Sequence, residues 1–204
     1  MMPAILAGHP DALQALEAGF PPERRLTHRE ASDWLYARAR EAGPGGLCVD
    51  VGAWCGWTAC VMALAGPAVL AVDTFRASDR WVHQDALLAR LGGKREGTLA
   101  CYARLVAGAG LGGRIAAVQA RSLEAAQAMG EETADLVWLD ADHSRAAVAA
   151  DVVAWHAVVR RGGILCGDNW RIGEVREPVL AVLAGLGWPA PQEGPHEVWW
   201  MRRP

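Results

Sequence analysis

"DVGAWCGWTA", residues 50–59, places two glycines four residues apart, directly behind a short apolar run that ends in an acid. Two tryptophans and a cysteine stand among them. Read as a helix, the stretch is a hydrophobic segment that happens to hold glycine. Read as a loop, it lets the backbone turn tightly and approach a ligand with no Cβ in the way. The flanking residues favour the loop. Upstream, "GPGG" (43–46) breaks the chain before "LCVDV", a run typical of a buried parallel strand. Downstream, "TACVMALA" reads as a helix and "AVLAVD" (68–73) as a second buried strand.

The same alternation extends in both directions. Thr27-His-Arg-Glu30 has the spacing of a capping box and predicts a helix running to about residue 42. Residues 74–97 are polar and irregular, with room for one short helix. "TLACYARLVAGAG" reads as a helix, "RIAAVQA" as a third strand, and a further helix starts at Ser122. "DLVWLD" (135–140) is the fourth strand. A helix is predicted over Ser144 to Arg161, closed by two arginines and Gly162-Gly163. "ILCGD" is the fifth strand, "EVREPVLAVLAGLG" a helix with a proline near its start, and "EVWWMRR" a last strand. This pattern predicts an open α/β sheet with helices on both faces. No internal repeat or linker divides it, so one domain is expected over 1–204, with a helical segment at 1–44 and an insertion at 74–97 near the active site.

Composition bounds the function. A chain of 204 residues, 52% hydrophobic and 21% charged, has the balance of an ordinary globular protein. A net charge of −3 offers no polycationic surface for nucleic acid or acidic lipid. The five cysteines (48, 55, 60, 101 and 166) are scattered without a C-x-x-C pair, which argues against a disulfide framework and a structural zinc site. "MMPAILAGHPD" has no basic start and only a brief apolar stretch, so no secretory signal is expected. Val51 to Val72 runs 22 residues without a charge, but Gly52, Gly56 and Gly66-Pro67 cut it into pieces too short to span a bilayer. A cytoplasmic protein with no membrane and no nucleic-acid partner is expected, with a homodimer left open.

Open sheets of this kind bind ligands beyond the C-terminal ends of their strands. Here those ends carry Asp50 to Gly56, Asp73, Arg121-Ser122, Asp140-Ala-Asp142-His143 and Asp168-Asn169, so four of five end in an acid. Helix capping accounts for Ser122 and for Asp142 or Ser144. It accounts poorly for Asp140, Asp168 and Asn169 together. G-x-x-x-G lacks the third glycine of a dinucleotide fingerprint and the Gly-Lys-Ser/Thr of a P-loop. What remains is a nucleoside with a zwitterionic tail, Asp73 taking both ribose hydroxyls.

"VDVGAWCGWTA" resembles the first motif of class I S-adenosylmethionine-dependent methyltransferases, most closely the catechol O-methyltransferase group. "LDADH" followed by "GDNW" is similar to the paired motifs of the caffeoyl-CoA O-methyltransferases. "AVDTF" and "LDADHS" look like small bacterial methyltransferases of the macrocin kind. The likeness covers roughly residues 45–172 and implies a Rossmann-like, mostly parallel sheet with an antiparallel last strand. It further implies S-adenosylmethionine as cofactor, with Asp50 facing the methionine amino group, Gly52, Ala53 and Gly56 giving backbone contacts and Thr58 meeting the carboxylate. Asp73 would hold the ribose and Ser122 the adenine edge, with Asp140 beside the cofactor. Asp140, Asp168 and Asn169 match the family's divalent-metal ligands. Arg121 stands where the family usually has a small or acidic residue, and His143 where it often has a lysine.

The ligand chemistry stands apart from the likeness. Two carboxylates and an amide oxygen are hard donors, suited to Mg²⁺ or another divalent oxygen-loving cation. Magnesium takes about six ligands, which leaves places for water and for a substrate with adjacent oxygens. The likeness puts His143, beside Asp140, where relatives often have a lysine proposed to accept the hydroxyl proton, which makes it the candidate base, with helix capping or metal ligation as its alternatives. The expected activity is methyl transfer to a hydroxyl of a small molecule. The rivals are a non-catalytic S-adenosylmethionine binder of the same fold and a nicotinamide oxidoreductase. His83 beside Trp81 is a pocket or surface residue, His156 a packing or surface residue, Cys55 a packing residue, and Trp54, Trp57 and Trp170 are candidate walls of the site.

Overall fold

The computed structural model describes residues 12–20, 22–76 and 98–204. Seven strands form one sheet in the order β3-β2-β1-β4-β5-β7-β6. They are β1 (Leu47–Val51), β2 (Ala68–Asp73), β3 (Ile115–Gln119), β4 (Ala134–Leu139), β5 (Val159–Gly167), β6 (Gln192–Glu193) and β7 (Trp199–Arg202). The first five are parallel, and β7 returns antiparallel beside β5 with β6 on its outer edge. The helices are α1 (Ala12–Gly19), α2 (Arg29–Ala39), α3 (Trp57–Leu64), α4 (Thr98–Gly108), α5 (Ser122–Ala128), α6 (Arg145–Val158) and α7 (Gly173–Gly185). The sheet is Rossmann-like and mostly parallel, with the expected antiparallel last strand.

Successive strand side chains point to opposite faces, and each face has its own core. Cys48, Ala71, Leu136, Trp138 and Cys166 pack with the helices of the first half of the chain. Val49, Val51, Val137, Leu139 and Leu165 pack with α5, α6 and α7. All eight residues of α3 are buried, which explains why its sequence has no polar face. The parity has one functional consequence: Asp50 shares the face of Cys48 and lies beneath α3. Among the described residues, no helix is long and apolar enough to cross a membrane.

Two expected boundaries are corrected. The capping box at Thr27 does not form. His28 is the N-cap of α2 and makes no side-chain cap bond. Thr27 is buried, and Glu30 turns to the imidazoles of His28 and His196 instead. The helix predicted to reach Arg161 ends at Val158, and β5 begins at once. Its backbone groups find partners outside the helix: the Gly162 N–H donates to Arg203 O, and the Arg203 N–H donates to Gly163 O, both at 2.9 Å. Arg160 pairs with Asp135 of β4. The two arginines therefore belong to a strand.

Candidate active site

Backbone hydrogen bonds bring the strand ends level. The Gly52 N–H donates to Val72 O at 2.9 Å, Asp140 N–H to Val51 O at 2.9 Å, and Asp168 N–H to Leu139 O at 3.4 Å. Asp73, Gly52, Asp140 and Asp168 thus emerge along one edge of the sheet, on four neighbouring strands.

The two glycines of the opening loop are needed for protein contacts as much as for a ligand. Gly52 has φ +94°, and a Cβ on it would stand 2.1 Å from the Asp140 carbonyl oxygen. Gly56 has φ +84°, and its Cβ would meet the Tyr102 ring at 2.8 Å. The first glycine lets β1 run against the turn after β4, and the second lets α3 start beneath α4. Between them Trp54 also takes a left-handed conformation, φ 41°. Asp73 holds it there: Trp54 N–H donates to Asp73 Oδ2 at 2.8 Å, and Phe75 N–H donates to Oδ1 at 2.6 Å. Burial raises the Asp73 carboxyl above its usual range, while these two backbone donors pull it back.

A cleft of about 640 Å³ opens beside this loop. Gly52, Trp54 and Asp73 line one side, and Ala120 to Glu124, Asp140 to Asp142 and Asp151 are among the residues that line the others. Ser122 lies on it, but its hydroxyl is occupied. It donates to Asp151 Oδ1 at 2.6 Å and accepts from the Trp155 indole at 2.8 Å. Burial pushes the Asp151 carboxyl up to about 6 against the Ser122 hydrogen bond, with Asp142 adding to the rise. Asp151 was absent from the sequence expectations. The signal was present, since helical spacing puts an acid among Val148, Val152 and Trp155 on the buried face of α6.

A second chamber of about 290 Å³ adjoins the cleft and shares Gly52, Trp54, Asp140 and Ala141 with it. Ala53, Trp57, Thr58, His143, Asp168, Asn169 and, from the N-terminal segment, Arg24, Leu26 and Thr27 also line it. His143 Nε2 lies 3.1 Å from Asp140 Oδ1. Burial opposes the imidazolium, but the Asp140 hydrogen bond and the charges of Asp140, Asp168 and Asp142 outweigh it and raise the His143 pKa. Burial and the charge of Asp140 together push Asp168 up to about 6. Asn169 is left-handed at φ 63°, its N–H donating to Asp168 Oδ1 at 2.8 Å.

The remaining candidates divide. Asp50 lines neither cavity. It is fully buried, accepts the Thr58 hydroxyl at 2.8 Å on Oδ2 and leaves Oδ1 without a partner. Its carboxyl rises to about 7 through burial, opposed by Thr58 and reinforced by Asp140 and Asp73. Thr58 does line the inner chamber, yet its hydroxyl hydrogen goes to Asp50. Trp170 lines neither cavity and donates to Glu193 at 2.9 Å. Cys55 is buried and its thiol is pushed up to about 12, as suits a packing residue. His83, Trp81 and the rest of 77–97 lie outside the described residues. Among those described, the one trio of His, Cys, Asp or Glu groups within common metal reach is His28, Glu30 and His196 on the surface; Asp140 and Asp168 stand in one chamber without such a third partner.

A sequence profile described as a methyltransferase domain matches residues 49–170. A search of curated proteins by sequence found no match. Among solved structures, the chain is similar to the O-methyltransferase NovP, with TM-score 0.67 at 13% identity, covering 85% of this chain and 79% of that one. The O-methyltransferase TomG from Streptomyces achromogenes, solved in complex with SAM, gives TM-score 0.62 at 14% identity over 98% and 93% of the two chains. Cofactor-bound Rv0187 from MTB gives 0.61 at 17% identity over 93% and 86%. At these identities the structural likeness speaks for the fold.

Proposed function

Because the chain belongs to this methyltransferase domain family, we propose that it transfers a methyl group from S-adenosylmethionine to a hydroxyl of a small molecule, assisted by a divalent cation. One observation carries the reading. A nucleoside-sized cleft with a ribose-type acid and a smaller acidic chamber share a wall at Gly52 and Asp140.

In this reading the adenosine lies in the cleft, with Asp73 at the ribose and the Ser122–Asp151 pair beside the base. The methionine part crosses Gly52 and Ala53 toward Thr58, and the acceptor enters the inner chamber. S-adenosylmethionine supplies an electrophilic methyl group when bound. The chain's share of the work is positioning, the main requirement of an in-line transfer. His143 takes the proton of the acceptor hydroxyl, and Asp140 at 3.1 Å steadies the imidazolium that results. The metal reading has its own support in the donor chemistry. Asp140 raises Asp168 within a shared chamber, a repulsion that a cation relieves, and Asn169 adds a neutral amide. Asp140, Asp168 and Asn169 would hold Mg²⁺ or a similar ion, which would supply Lewis acidity toward the acceptor hydroxyl. Five free thiols favour a cytoplasmic setting.

Thermal melting with S-adenosylhomocysteine and with NAD, followed by a labelled-methyl assay on catechol, tests the proposal. Ligand at about 100 times its dissociation constant stabilises by roughly 2.7 kcal/mol. S-adenosylhomocysteine should give that shift and NAD none. Transfer should need Mg²⁺ and stop in EDTA. A larger response to NAD defeats the cofactor reading, and full activity in EDTA makes the acids structural.

A further inference from the structure

Arg24 closes the 3₁₀ turn Pro22–Arg24, is only 3% exposed and lines the inner chamber. Its Nη1 donates to Cys55 Sγ at 3.3 Å. That thiol is neutral, because burial pushes its pKa up to about 12. No carboxylate among the described residues pairs with Arg24. The neighbouring acids are used elsewhere: Glu17 meets Arg25 at 3.3 Å and Arg29 at 2.6 Å, and Asp33 meets Arg29 at 3.0 Å. A buried cation without a counter-charge is costly, and Arg24 lines the inner chamber.

The hydroxyl of Thr58 sharpens the point. A carboxylate in this chamber needs a donor, and Thr58 gives its hydroxyl hydrogen to buried Asp50 at 2.8 Å. Among the described residues, Arg24 and His143 are the basic side chains on the chamber wall, and His143 faces Asp140. A guanidinium is the better partner in any case, since its planar fork matches both oxygens of a carboxylate.

We propose that Arg24 is the seat of a carboxylate in the inner chamber, either the methionine carboxylate of the cofactor or one borne by the acceptor. The first source rests on the cofactor reading above. The second does not.

Two pairs of probes separate the sources. S-adenosylhomocysteine carries the amino-acid carboxylate, and 5′-methylthioadenosine lacks it. 3,4-Dihydroxybenzoate carries a ring carboxylate that catechol lacks. Binding of all four is measured by calorimetry on wild type, Arg24→Gln and Arg24→Lys, the two phenols on both unloaded and S-adenosylhomocysteine-loaded protein. In one pair, Arg24→Gln should weaken the carboxylate-bearing probe by roughly 10- to 100-fold and leave its counterpart unchanged, with part of the loss restored by Arg24→Lys. Loss in the first pair assigns the cofactor carboxylate, and loss in the second assigns the acceptor's. Equal change in both members of each pair, or no change in any, overturns the proposal. The wild type alone also overturns it if neither pair shows a carboxylate preference, so a variant that fails to fold does not protect it. If neither adenosine compound binds, the cofactor reading fails, and the phenol pair on unloaded protein still decides Arg24.

Discussion

The outer cleft and the inner chamber differ in how their polar groups are satisfied. In the cleft, Asp73 accepts two backbone N–H groups, and Ser122, Asp151 and Trp155 close a hydrogen-bonded chain. That wall is finished before any ligand arrives, as a site that reads a rigid nucleoside should be. In the chamber, Arg24 has no carboxylate partner among the described residues, and the charge of Asp140 raises the cost of ionising Asp168. Such an arrangement costs free energy that ions or polar ligands can offset. Under the proposed function the cleft binds and the chamber reacts, and changes to the two should have separable effects.

The largest effect is expected in the chamber. Asp168→Ala should abolish methyl transfer while S-adenosylhomocysteine affinity stays nearly intact, because Asp168 lines the chamber and not the cleft. Parallel loss of binding and turnover would erase the distinction. His143→Gln comes next, with a rate loss of roughly 10²- to 10⁴-fold. The base must be unprotonated, so activity rises with pH through the His143 pKa. Asp140, Asp168 and Asp142 raise that pKa against burial, and the Mg²⁺ that activity requires should move the acidic limb back down. The pH–rate profile of His143→Gln should lose the limb. An unchanged profile would leave deprotonation to the cation alone.

How much of this contrast was legible in the sequence depends on what kind of pattern each part leaves. The strands were readable because both faces of the parallel sheet are covered, which turns each strand into a continuous apolar run such as "LCVDV" or "AVLAVD". Asp73, Asp140 and Asp168 were readable from where those runs stop. The exact glycine contacts were not. Gly52 and Gly56 were understood as making way for a ligand, whereas their missing Cβ atoms also make way for Asp140 and Tyr102, residues distant in sequence. The hydrogen bonds that occupy Thr58 and Ser122 were likewise invisible, since Asp50 and Asp151 reach them only through the fold. Arg24 left no periodic mark at all. A three-residue turn far upstream carries it into the chamber.

Asp50 provides a smaller test, below the floor of both cavities. Its carboxyl is raised to about 7 by burial, above the ordinary Asp value near 3.9. A raised acid contributes stability that is fully present below the unfolded pKa and is lost as pH rises through the folded one. Wild-type protein should therefore lose this contribution between about pH 4 and pH 7, and Asp50→Asn should not. The melting temperature of Asp50→Asn minus that of wild type should grow as pH goes from 5 to 8. A constant difference would mean that Asp50 is already charged when buried, paired through a route other than Thr58.

The smallest effect is expected at Asp73, because the cleft is already complete without its ligand. Each Asp73 oxygen accepts one backbone N–H, from Trp54 at 2.8 Å and Phe75 at 2.6 Å. A carboxylate oxygen has a second acceptor position; Thr74 also hydrogen-bonds to this carboxylate, and a ribose diol would use the acceptor capacity that these donors leave. Hydrogen bonds to a charged group contribute about 1.5–3 kcal/mol, so wild type should bind adenosine roughly 10- to 100-fold more tightly than 2′,3′-dideoxyadenosine. Asp73→Asn keeps the size of the side chain but replaces one acceptor oxygen with a donor. It should shrink that preference by about tenfold and leave the dideoxy compound's affinity where it was. The dideoxy control matters because Trp54 and Phe75 are both left-handed and both tethered to Asp73. If the variant weakens the two nucleosides equally, Asp73 serves the cleft only as the staple of its loops, and the ribose is read by something else.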